Sequence, residues 1–141
     1  MIRVATAADS EALLDIARAA YGPLDFSRTL AWLHKSLPSP NFTTLLGERS
    51  FLVGTVAHLP WEPAPTAYVL FLAAHPARPT PRLEPLILLR QFSAWARTLN
   101  ATTLEAGSAT GYNLEPLFRR LAGSPSRFKR LDRYHVRFSD G

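Results

Sequence analysis

Ala67-Tyr68-Val69-Leu70-Phe71-Leu72-Ala73-Ala74, then His75-Pro76 and, ten residues on, Leu86 to Leu99, is the stretch that decides the fold. The first run is apolar at almost every position, as a strand is when both of its faces are covered. The second is helical in period. Leu88, Leu89, Phe92, Trp95, Ala96 and Leu99 share one face, and Arg90 and Arg97 lie opposite. A buried strand followed by an amphipathic helix belongs to a layered α/β domain.

Working backwards, Phe51 to Leu59 is a second, nearly all-apolar strand, and Phe42 to Leu46 a third, with Gly47-Glu48-Arg49 as the turn between them. Further back, Ile2 to Ala5 is a short strand, and Asp9 is placed to cap a helix carrying Leu13, Ile16, Ala17 and Ala20 on one face. Gly22-Pro23 ends it. Ser27 caps a second helix with Leu30, Leu33 and Leu37 as its stripe, stopped by Pro38. Forwards, Thr102 to Ala106 is a strand, Leu114 to Leu121 a short helix and Tyr134 to Phe138 a last strand. The order β-α-α-β-β-β-α-β-α-β predicts one α/β domain over residues 1–141. Its sheet should be mixed and largely antiparallel, with helices on both faces.

Composition narrows the function. At 47% hydrophobic and 19% charged residues, the chain is no disordered protein. Without cysteine it has no disulfide scaffold, zinc ribbon, thiol nucleophile or iron–sulfur site. No apolar run approaches the ~20 residues that span a bilayer, and the N-terminus has no signal-peptide core. A cytoplasmic protein with no membrane partner is expected. His34, His58, His75 and His135 lack metal-ligand spacing, so no metal is expected. Gly107-Ser108-Ala109-Thr110-Gly111 has Ala109 where a nucleophile elbow needs serine, and reads as a loop.

Charge is uneven. Residues 1–70 hold 5 basic and 6 acidic groups, whereas residues 71–141 hold 11 basic and 5 acidic. The densest part is Arg119, Arg120, Arg127, Phe128, Lys129, Arg130, Arg133 and Arg137, with Tyr134 interleaved and Asp132 as the lone acid. Cations with aromatics suit a nucleic acid, which takes salt links and stacking. They equally suit a protein partner within a larger assembly, or a solvated hairpin with its rings turned inward.

Five segments, in order, resemble the GCN5-related N-acetyltransferase (GNAT) family. They are Ile2 to Thr6 with Asp9 and Leu13, Phe51-Leu52-Val53-Gly54-Thr55-Val56, Phe71 to Pro76, Phe92 to Arg97, and Leu117-Phe118-Arg119-Arg120-Leu121. The texture is similar to short members encoded by bacteriophages. The resemblance implies acetyl-coenzyme A as cofactor, met by Ala73, Ala74, Arg78 and Arg82. The family holds the pyrophosphate with a Q/R-x-x-G-x-G/A loop at a helix start, where free N–H groups and the dipole favour an anion.

Here that loop is Arg78-Pro79-Thr80-Pro81-Arg82-Leu83, and each proline removes a donor. Ordinary helix-start grammar also explains it, with Thr80 capping before Pro81, or Glu84 before Pro85. The family's glutamate base falls on Val69, and the tyrosine that protonates the thiolate falls on Phe118. His75 and Tyr112 are the candidate substitutes, His75 foremost. His58 and Tyr134 are further titratable groups. The preferred expectation is a catalytically degenerate protein acting through the basic segment on protein or nucleic acid, in the cytoplasm or a phage particle. The alternative is an active acetyl-CoA-dependent N-acyltransferase on a small amine or protein amino group.

Overall fold

The computed structural model describes residues 2–22, 28, 31, 40–76, 83–106 and 115–123. The elements are β1 (Arg3–Val4), α1 (Ser10–Tyr21), β2 (Phe42–Leu46), β3 (Ser50–Ala57), β4 (Thr66–Ala74), α2 (Glu84–Thr98), β5 (Thr103–Ala106) and α3 (Glu115–Ala122). The helix expected from Ser27 falls outside the described residues except Arg28 and Ala31, both helical. The strand expected over Tyr134 to Phe138 falls wholly outside them.

The sheet runs β1-β2-β3-β4-β5. Its first three pairings are antiparallel and β4/β5 is parallel. The parallel pair needs a crossover, and α2 supplies it. One face packs on α1, through Leu13, Leu14, Ile16 and Ala17 against Leu46, Phe51, Val53 and Ala73. The other packs on α2 and α3, through Leu88, Leu89, Phe92 and Ala96 against Leu45, Leu52, Val69 and Leu72. Successive strand residues therefore enter opposite cores, which explains why β3 and β4 lack polar alternation.

Local chemistry departs from expectation at Asp9. Its side chain makes no capping bond to α1. Instead the carboxylate accepts from the Thr6 N–H at 2.8 Å and from Arg3 Nη1 at 2.7 Å, closing a short 3-10 turn over Ala7–Asp9. The spacing Thr6-x-x-Asp9 is that of a capping box, so the acid serves as the third helical position and not the cap. Gly22, at φ 86°, ends α1 in a conformation that costs glycine little. The long helix begins at Glu84, with Leu83 at its cap and Pro85 in its first turn.

Candidate functional site

The candidate site lies where β4 bends. The described pairing with β5 runs from Thr66↔Thr103 to Val69↔Ala106, and β4 continues to Ala74. At the same point β4 carries a bulge: Val53 pairs with Phe71 but Gly54 pairs with Val69, leaving Leu70 as the extra residue. Face alternation breaks there too. Val69 lies in the α2-side core, Leu70 and Phe71 both pack on the α1 side, and Leu72 returns to the α2 side.

A bulge bends its strand, so β4 bends just past its last described pair with β5. Openings beyond the carboxyl ends of parallel strands are the usual ligand site of such sheets.

Several anticipated residues fall near this place, with unequal prospects. Ala73 is buried on the α1 side and Ala74 pairs with Ser50. Val69 is buried, 3% exposed, and apolar. Phe118 of α3 is half-buried against the α2-side core, with Leu117 and Leu121 beside it. Neither Val69 nor Phe118 can carry a proton. Arg119 and Arg120 are exposed on α3. Tyr112, Arg78, Arg82, Arg127, Phe128, Lys129, Arg130 and Arg133 lie outside the described residues.

His75 is drawn elsewhere. Its backbone N–H donates to Arg49 O at 2.8 Å, continuing the β3/β4 ladder. Its Nε2 stands 3.9 Å from Asp15 Oδ2, over a cavity of about 110 Å³ lined also by Ala12, Ile16, Glu48 and Arg49. The structure therefore brings His75 together with α1 and the β2–β3 turn. Along an extended strand, five residues from Leu70 is roughly 16 Å.

The chain reading passed over a polar group on the other side of the bulge. Tyr68 faces Glu105 across β4/β5, one pair before the last described one. Burial, followed by the nearby Glu62 and Glu105 carboxylates, pushes the Tyr68 phenol up, with Thr66 opposing weakly. Its hydroxyl therefore stays protonated across the neutral range. The Glu62 carboxylate accepts from Leu59 N–H and Thr66 Oγ1, both at 3.4 Å, and Thr66 Oγ1 meets Thr103 Oγ1 at 3.1 Å. Tyr68 sits inside an apolar run and reads there as a core aromatic. Only the register with Glu105 reveals its setting.

Among the described residues no group of three His, Asp or Glu side chains is placed to hold a metal. No described helix is long and apolar enough to cross a membrane.

These features define an α/β protein whose sheet bends at a bulge beside its described parallel pair. More narrowly, the fold is that of the GNAT acetyltransferases. An apo aminoglycoside antibiotic 6'-N-acetyltransferase from Acinetobacter haemolyticus superposes with a TM-score of 0.73 at 17% identity, over 100% of this chain and 98% of that one. A second aminoglycoside N-acetyltransferase, solved with CoA, gives 0.73 at 9% identity over 100% and 95%. A GNAT family acetyltransferase from Staphylococcus aureus gives 0.67 at 15% identity over 98% of each chain. No protein-family profile matches the chain, and no curated protein matches it in sequence.

Proposed function

We propose that the chain binds an acyl-coenzyme A beside the bent second half of β4 and passes the acyl group from the CoA sulfur to an amine. What supports this reading is the fold shared with acetyltransferases, one of them solved with CoA, together with the Leu70 bulge next to the described β4/β5 pairs. The start of α2 would take the phosphates, aided by Arg78 and Arg82. Acetyl-CoA bound there supplies the activated thioester. This chain's own residues orient it and exclude water, with the half-buried Leu117 and Phe118 of α3 as the apolar wall. An amine reaching the thioester carbonyl would lose its proton to solvent or to a group near Tyr68 and Glu105, because Val69 and Phe118 offer none. Acid–base assistance is worth ~10²–10⁴-fold, so turnover should be slow by that factor.

The test is calorimetric titration with acetyl-CoA, followed by thiol release with a panel of amines that includes an aminoglycoside. Saturable binding with Kd in the ~1–100 μM range and slow, amine-dependent release are expected. The absence of heat at millimolar cofactor would overturn the reading.

One observation favours a second reading, in which the fold is kept for contacts. Val69 and Phe118 occupy the two positions where the GNAT resemblance expects a base and an acid, and the exposed Arg119 and Arg120 open the basic run. A protein of this kind would bind protein or nucleic acid through residues 119–137. Arg127→Glu, Arg130→Glu and Arg133→Glu should then abolish co-purification or DNA binding. A nucleic-acid partner would show a log–log salt slope of ~0.7–0.9 per phosphate contact. Retention of every wild-type interaction would end this reading.

A further inference from the structure

Glu84, at the first position of α2, is the only buried acidic side chain among the described residues, at 4% exposure. Its carboxylate leaves the helix and enters the β2–β3 turn. There it accepts from the Glu48 N–H at 3.2 Å, the Arg49 N–H at 3.1 Å and the Ser50 hydroxyl. Gly47 makes this possible, since a Cβ there would stand 2.5 Å from Glu84 Cδ. The turn itself is closed by Gly47 N–H to Ser50 O at 2.9 Å. Three donors thus converge on its two oxygens.

The first turn of α2 has few donors to spare. The Ile87 N–H makes the helix's first ordinary bond, to Leu83 O at 2.9 Å. Of the four N–H groups that a helix start leaves open, here those of positions 83 to 86, Pro85 supplies none, so only Leu83, Glu84 and Leu86 can serve an anion. A site with so few donors depends on where they stand.

We propose that Glu84 is a positioning residue for the phosphate end of the cofactor site. By tying the helix start to the β2–β3 turn, it sets the place and direction of the first-turn N–H groups. The proposal rests on the acyl-coenzyme A reading and names the residue that governs one end of that site.

The experiment compares CoA with pantetheine, which lacks every phosphate, by NMR titration of the intact chain and its variants, with urea melts in parallel. A staple that merely stabilises the fold would leave both affinities alone, or lower both, in the folded protein. A positioning residue separates them. Glu84→Ala should weaken CoA by about tenfold or more, the scale of small misplacements in a site, and leave pantetheine unchanged. Glu84→Gln, which keeps one carbonyl acceptor, should recover part of the loss.

Gly47→Ala approaches from the other side and should reproduce the selective loss; with Glu84→Gln it carries the test if Glu84→Ala does not fold. Equal losses for both ligands, or none in folded variants, would overturn the assignment while wild-type binding stands. A folded wild type that binds neither ligand would overturn the acyl-coenzyme A reading, and the assignment with it.

Discussion

Gly54 is where the sheet makes room for the long helix. A Cβ there would lie 2.2 Å from Phe92 Cε1 and 2.3 Å from Cζ, so the ring rests directly on the β3 backbone. Gly54→Ala should destabilise the protein by about 1–3 kcal/mol, the usual cost of overpacking. Urea melts would measure it, and the penalty should shrink in a Phe92→Leu background because the two sites share the same space. At Asp9 the determinant is charge. The Arg3 hydrogen bond first, and the Thr6 N–H next, hold its carboxyl well below the usual carboxylate range. A depressed pKa contributes stability that is present above about pH 4, the unfolded value, and is lost as the pH falls through the folded one. Asp9→Asn should therefore lower the urea midpoint at pH 6 and converge with wild type in strong acid. A constant difference across the range would mean that the carboxylate's charge is not what matters.

Within α2 the two aromatic residues are unequal. Phe92 is fully buried, whereas Trp95 is half-buried and stacks on Phe92 at 5.7 Å with 28° between the rings. Phe92→Ala should cost ~3–5 kcal/mol, and Trp95→Ala only about 1–3 kcal/mol, in the same denaturant melts. Helical spacing put both rings on one face, but spacing reports direction and not depth. The element bounds show the same division. The strand over Phe42 to Leu46 was readable to the residue, because a turn and an asparagine bracket it. The long helix starts at Glu84 and not Leu86, since Glu84 is held by bonds to a turn about 35 residues away in the chain. The bulge at Leu70 was illegible for a different reason: a strand buried on both faces has no polar alternation to interrupt.

For the whole molecule, the decisive question is whether the cleft accepts coenzyme A despite prolines in the expected phosphate loop. If missing N–H donors limit binding, Pro79→Gly with Pro81→Gly should tighten acetyl-CoA by about fivefold for each donor restored, given a net ~1 kcal/mol per hydrogen bond. Calorimetry on the double variant checks it, and unchanged affinity would show that the donors are not limiting.

Residue order alone determined the α/β class, the strand and helix sequence over the described residues, the two-sided burial of β3 and β4, and the concentration of arginine after Arg119. These properties follow from apolar spacing, turn residues and charge, which are local and additive along the chain. Tertiary structure alone decided that β4 bulges at Leu70, that His75 turns to Asp15, that Tyr68 faces Glu105 and that Glu84 enters the β2–β3 turn. Each of these depends on strand register or on contacts between residues far apart in sequence. A one-residue change of register would send every side chain of a strand to the opposite face, and no local pattern in an all-apolar strand encodes that choice.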